Sequence, residues 1–213
     1  MKERPILFSG PMVRAILDGR KTQTRRVVRP KKYKYEMAVD DWMNDRRTFA
    51  DGTDPNDRYL HIPCLSADDE GMKDDGVVRR EYCPYGQPGD RLWVRETHFQ
   101  TVDNEHHERP SVSYAEEESK LYPGHWRKVP SIFMPRWASR ITLEITAVRV
   151  ERVKEISQSD AEAEGIPGCR DHLKNVHAVE WFKSLWDSIN AKRGFSWESN
   201  PWVWVVEFKR IQN

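Results

Sequence analysis

The sequence predicts an α+β domain built on a small closed β-sheet, with short flanking helices and two irregular insertions. Three observations lead there. Alternating apolar residues recur near 91–96, 141–150 and 202–209, the period of half-buried strands. The strands are separated by loops and short helices, without the regular βαβ alternation of a doubly wound sheet. Two stretches, about 31–85 and 100–135, show little sustained periodicity: the first is rich in Asp, Gly and Pro, and the second contains Glu116, Glu117 and Glu118. A small barrel is the natural closed form of such a sheet. The expected organisation is one domain over 1–213, with both stretches as insertions.

In chain order, residues 5–8 read as a short apolar strand. Ser9, Gly10 and Pro11 then open a helix, because proline in the first turn loses no hydrogen bond. Met12, Val13, Ile16 and Leu17 share one face of it, and Gly19 ends it as a C-cap. Residues 20–26 read as a polar turn, and Val27 and Val28 as the start of a strand stopped by Pro30. Within the first insertion, residues 59–62 and 76–78 suggest a hairpin. Residues 84–90 form a turn into the strand 91–96. Ile141, Leu143 and Ile145 occupy odd positions and Val148 and Val150 even ones, which places a bulge near Ala147. Ser159 and Glu162 form the pattern of a capping box for a short helix ending at Gly165. Val179, Phe182, Leu185, Trp186 and Ile189 mark an amphipathic helix. Asn200 and Pro201 turn the chain into a closing strand over 202–209, with Trp202, Trp204, Val206 and Phe208 on one face.

Composition narrows the class. The 213 residues include 38% apolar and 32% charged side chains, and no apolar run is long enough to cross a bilayer. Residues 1–10 lack the apolar core of a secretory signal. Three cysteines at wide spacing exclude a disulfide framework and fit a reducing cytoplasm. The net charge of +1 conceals a sorted distribution. Residues 1–35 hold eleven Lys/Arg against Glu3 and Asp18, whereas residues 36–76 hold twelve Asp/Glu against four Lys/Arg. The basic opening either attracts phosphate or is covered by the acidic segment that follows.

The densest polar cluster is Arg20, Lys21, Thr22, Gln23, Thr24, Arg25 and Arg26. Four cations so close repel one another unless an anion or carboxylates sit among them. Crowding by arginines lowers the pKa of Lys21 and equips it as a base, whereas a carboxylate partner raises it, so the sign stays open; a hydroxyl at Thr24 is the candidate nucleophile. The same residues also suit a solvated basic turn. If 25 and 26 lie on a strand, only one of the two arginines can line a site. Glu164 is either a partner for this cluster or a solvated helix-end carboxylate. Glu96 ends an alternating strand and is placed to pair with Arg25 or Arg26. Trp93, Trp202 and Trp204 read as barrel core. Trp197, Trp126 and Trp137 read as exposed rings able to stack a base. His61 with Cys64, Cys83, and Cys169 with His172 include ligand-like spacings, but no paired Cys-x-x-Cys occurs and the pieces lie far apart. We therefore expect no metal and no cofactor.

Gly19, Lys21 and Arg26 match the G-x-K-x-x-x-x-R signature of ASCH domains, and the chain resembles that PUA-like family in layout as well. The strand entry from Gly89 to Val94, the helix 160–165 and the closing strand 204–208 fall where the family has them. The string from Ile6 through Arg26 resembles a phage- or prophage-encoded branch. The resemblance implies a barrel that receives RNA, a nucleotide or a modified nucleoside in a basic pocket, and Arg20, Arg25, Arg26, Glu96 and Trp197 are the candidate contacts that the residues offer for it. One branch of the family hydrolyses acylated cytidine, such as 4-acetylcytidine. Its Lys, Thr and Glu correspond here to Lys21, Thr24 and Glu164. The resemblance then implies that Thr24 attacks the acyl carbon, Lys21 relays the proton and Glu164 holds the lysine ammonium. Another branch comprises ribonucleases, in which the cations stabilise a phosphorane. An assembly or host-interaction role would instead present an apolar patch built from the insertions.

Overall fold

The computed structural model describes residues 1–28, 59–68, 71–102, 109–114, 125–166 and 178–211. Its centre is a five-stranded sheet in the order β1-β5-β9-β10-β2. Strand β1 (Glu3–Leu7) runs parallel to β5 (Arg91–Arg95). All the other neighbours are antiparallel: β5 with β9 (Thr142–Arg152), β9 with β10 (Trp202–Ile211), and β10 with β2 (Gln23–Val27). This mixed sheet with helices packed on it is the expected α+β class. The sheet curls until its edges β1 and β2 approach, and Arg26 Nη2 donates across them to the Leu7 carbonyl at 2.6 Å. No backbone ladder joins the two edges among the described residues, so the strands do not close into the expected barrel.

The bulge falls where the alternation breaks. Glu207 pairs with Ala147 but Phe208 with Ile145, which leaves Thr146 as the extra residue. The shift keeps Ile145 and Val148 on the same face, although they have opposite parity.

Strand β10 is buried on both faces. Trp204, Val206 and Phe208 face one core with Ile6, Phe8, Val13, Ile16, Leu92, Val94, Leu143 and Ile145. Val203 and Val205 face a second core with Val153, Ile156, Ala161, Phe182, Trp186 and Trp197. A strand covered on both sides must read as a continuous apolar run, as Trp202 to Val206 does.

Helix α1 (Gly10–Leu17) buries Val13, Ala15 and Ile16, and Gly19 follows it at φ +73°, the left-handed conformation that ends a helix. Helix α2 (Gln158–Ala163) is capped by Ser157, whose hydroxyl accepts from the Asp160 N–H at 3.1 Å. The capping residue therefore lies two positions before the expected Ser159, whose hydroxyl pairs with that of Ser157 instead. Helix α3 (Ala178–Asn190) buries Ala178, Phe182 and Trp186, as its apolar spacing predicts.

Three local expectations are corrected. Residues 20–26 are not a free turn, since β2 begins at Gln23, four residues before the expected strand. The hairpin is longer than its apolar hints: β3 (Tyr59–Asp68) pairs with β4 (Gly71–Tyr82). The second insertion is only partly irregular. Strands β6 (His98–Thr101), β7 (Val112–Tyr114) and β8 (Trp126–Val129) form a separate sheet in the order β7-β6-β8, and Trp126 is half-buried on β8 rather than exposed in a loop. No helix of the described residues is long and apolar enough to cross a membrane.

Candidate functional site

Strand β2 carries the polar cluster, and its pleat sorts the side chains onto two sides. Gln23 and Arg25 reach α2 and β9, while Thr24 and Arg26 face an open cleft of about 350 Å³; Arg25 also joins its lining, so both arginines border the cleft and not one alone. Thr22 N–H donates to the Ala163 carbonyl and Phe208 N–H to the Thr22 carbonyl, so the strand entrance is held between α2 and β10.

Lys21 forms an isolated antiparallel bridge with Glu164, the residue that ends α2. Its ammonium, with a side chain at 0% exposure, donates to Glu164 Oε2 at 2.7 Å and to the Glu164 carbonyl at 2.9 Å. Two of its three protons are thereby committed, and the amine stands 5.7 Å from the centre of the Phe8 ring. Burial pulls the Lys21 pKa below the ordinary lysine range, and the opposing pull of Glu164 does not overcome it. Burial is the leading cause and the neighbouring arginines are minor, so the direction rests on a feature that the sequence leaves open. Gly165, at φ +95°, makes the close approach possible, because a Cβ there would stand 2.8 Å from Ala15 Cβ and 2.9 Å from Lys21 Cβ.

The other Glu164 oxygen accepts from Arg25 Nη1 at 3.2 Å. Arg25 also meets Glu151 through Nε at 2.8 Å and Asp160 through Nη2 at 3.2 Å. Arg149 extends the network to Glu151, Asp160 and Glu207. Burial opposes the charge on Asp160, yet hydrogen bonds from Ser157 and Gln23 and the charges of Arg25 and Arg149 carry its pKa below the usual carboxylate range. Arg25 is thus an internal cation at 5% exposure, answered by three carboxylates.

Arg26 is different. Its guanidinium meets the neutral Leu7 carbonyl and lies 5.3 Å from the Phe8 ring centre. Its Nε is buried and has no hydrogen-bond partner among the described residues. Burial lowers its pKa, Tyr85 and Glu164 pull the other way, and Arg193 adds a smaller push downward. The cleft around it is walled by Met12, Leu185, Trp186, Ile189 and Trp204, with Tyr85, Arg193 and Thr24 at its polar parts. Thr24 is buried at 4% exposure, and its hydroxyl has no side-chain partner among the described residues.

The structure therefore gathers Lys21, Thr24, Arg25, Arg26 and Glu164, and separates the rest of the expected set. Arg20 turns away, binding the Gly165 and Ile166 carbonyls and Asp18, so it fastens the chain after α2. Arg25 is enclosed by carboxylates and does not offer itself to a ligand. Glu96 pairs with neither Arg25 nor Arg26: it receives Arg140 through both oxygens, at 3.0 and 3.1 Å. Trp197 is 7% exposed and packs edge-on against Phe182, because the turn after α3 folds back onto the second core. Trp137, at 41% exposure, is open but stands in the turns after β8, outside the cleft lining. No Lys21–Thr24 hydrogen bond is present. Cys83 is buried, and its thiol is pushed up to about 11 by that burial. The His61 and Cys64 side chains and the Cys169–His172 pair lie outside the described residues. Among the described residues no group of three His, Cys, Asp or Glu could hold a metal ion.

Sequence reasoning missed Tyr85 and Arg193. Each had a signal: Tyr85 lies in the turn Pro84–Gly86, and Lys192-Arg193-Gly194 is a basic stop at the end of an amphipathic helix.

No family model matches the chain, and no curated protein matches it. Among solved structures it is similar to the crystal structure of an ASCH domain from Lactobacillus crispatus, with 11% sequence identity and a TM-score of 0.43. The similarity covers 98% of this chain and 79% of that one.

Proposed function

We propose that this chain is an ASCH-type, PUA-like protein that binds RNA, a nucleotide or a modified nucleoside in the cleft beside β2, all within one domain. On this reading the curled sheet is a barrel with one seam left unpaired, and the cleft opens near that seam. The carrying observation is that one concave site joins a wall of Trp186, Trp204, Leu185 and Ile189 to a guanidinium with a buried, unpartnered Nε. An apolar wall with a few convergent polar groups suits a base and its sugar, and an unmatched donor needs an acceptor. Thr24 adds a hydroxyl able to donate or accept.

Titration with cytidine, cytidine monophosphate and a short single-stranded RNA, followed by calorimetry, tests the reading. Binding that weakens at least tenfold in Arg26→Met is the expected result. Absence of binding to all three, or affinities indifferent to Arg26→Met, would overturn it.

A second reading has a specific observation in its favour. Thr24 opens on the same cleft as Glu164, and behind that carboxylate stands a lysine whose pKa is lowered. That set suits an amidohydrolase acting on acylated cytidine, provided Lys21 exchanges a bond to Glu164 for one to Thr24 during turnover. Acetate release from 4-acetylcytidine that is lost in both Thr24→Ala and Lys21→Ala would support it. Release that persists in both would remove these residues from the reaction.

A further inference from the structure

Resting on the reading that the cleft binds a nucleotide-type ligand, we propose that it selects a terminal phosphomonoester, held between Arg26 and Arg193, over a phosphodiester and over an uncharged nucleoside. The argument is one of charge accounting. The charged groups lining the cleft are Arg25, Arg26, Arg193 and Glu164. Glu164 is fully committed, one oxygen to Lys21 at 2.7 Å and the other to Arg25 at 3.2 Å. Arg25 has Glu151 and Asp160 besides. The inner cations are therefore balanced without any ligand.

Arg26 and Arg193 are not. Neither has a carboxylate partner among the described residues; Arg26 has a neutral carbonyl and a ring, and Arg193 sits exposed in the turn that follows α3. Tyr85 and Glu164 favour the charge on Arg26 from a distance, without an ion pair, and Arg193 lies close enough to oppose them. Two guanidiniums without an ion-pair partner among the described residues thus face one space. A phosphodiester supplies one negative charge, whereas a phosphomonoester carries roughly 1.5 to 2 at neutral pH and offers three acceptor oxygens. Only the monoester satisfies both guanidiniums, and their planar forks suit its oxygens. The apolar wall then receives whatever the phosphate carries. Such a group occurs on a free mononucleotide or at the end of an RNA chain, and not within one.

The test compares cytidine 5′-monophosphate, its methyl phosphodiester and cytidine by calorimetry, on the wild type and on Arg193→Ala. Arg193 is exposed, so its removal leaves the fold intact. A charge-assisted contact of the usual strength corresponds to about tenfold or more in affinity. The monophosphate is expected to bind at least that much tighter than its methyl ester. Arg193→Ala should bring the two together while changing cytidine by less than about twofold. A 5′-phosphorylated oligoribonucleotide and its 5′-hydroxyl counterpart separate the two sources: a preference for the former assigns the site to RNA ends, and indifference assigns it to free nucleotides. If cytidine binds and the phosphate adds nothing, with or without Arg193, the phosphate assignment falls and the cleft reading stands. If none of the probes binds, both fall.

Discussion

Replacing Glu164 by Gln removes a carboxylate shared by two buried cations. Lys21 would lose its 2.7 Å ion pair at 0% side-chain exposure, and Arg25 would keep Glu151 and Asp160. The change leaves the shape of residue 164 almost untouched, so the loss is electrostatic. Breaking a buried pair from one side costs about 3–5 kcal/mol, because the remaining charge stays desolvated. For a chain of this length that corresponds to a fall in Tm of roughly 6–20 °C. Urea denaturation at pH 7 measures it. The pH dependence gives a second readout. Native Lys21 sheds its proton at a lower pH than the unfolded lysine does, near 10.4, so the unfolded state binds more protons in that window and stability rises with pH. The deficit of Glu164→Gln should therefore shrink between neutral pH and about 10. The double variant Lys21→Met, Glu164→Gln should recover most of the loss, since it leaves no ammonium to solvate. A loss under about 1 kcal/mol, or a double variant no better than the single one, would refute the reasoning.

Gly165→Ala should destabilise by at least about 2 kcal/mol in urea, from a strained backbone at φ +95° and a Cβ pressed against Ala15 and Lys21. Adding Ala15→Gly should restore only the part due to the clash. Asp90 accepts from the Lys2 N–H at 2.7 Å and from Arg4 at 2.9 Å, and these donors, the Lys2 N–H foremost, hold its pKa below the usual carboxylate range. Its contribution is complete above about pH 3.9 and disappears as pH falls through the lower native value. Asp90→Asn should accordingly flatten the acid limb of a thermal-melt pH series; an unchanged limb would show that Asp90 does not carry it.

Much of this was legible from local pattern. The parity switch between Ile145 and Val148 located the bulge to within one residue, because a pleated strand has no other way to keep both inside. The spacing of Phe182 and Trp186 marked the buried face of α3, and Gly19 and Gly165 marked helix ends. Lys21 and Glu164 form a buried ion pair, which no sequence spacing could show. The errors share a cause. A run of charged residues reads as open to a ligand or to solvent, and Arg25 is expected as a ligand contact; the carboxylates that bury it come from β9 and α2, far away in sequence. Glu96 pairs with Arg140, which lies beyond the second insertion, and not with the basic cluster at 20–26. Trp197 stood beside a turn signal, and nothing local revealed that the turn folds inward. Arg193 was overlooked because helix-end cations are common.

The position of β2 in the sheet has a consequence for the order in which the protein is made. Its backbone pairs with β10 and no other strand among the described residues, and β10 begins at residue 202. At the usual 5–20 residues per second, the ribosome finishes β2 roughly 10 to 35 s before its partner emerges. Throughout that interval Thr24, Arg25 and Arg26 belong to an unpaired strand, with Lys21 just ahead of it. Their charges keep the nascent segment in water, where an apolar strand would seek the wrong neighbour. The basic cluster thus leaves the newborn edge charged and hydrated until burial and ion pairing take it up.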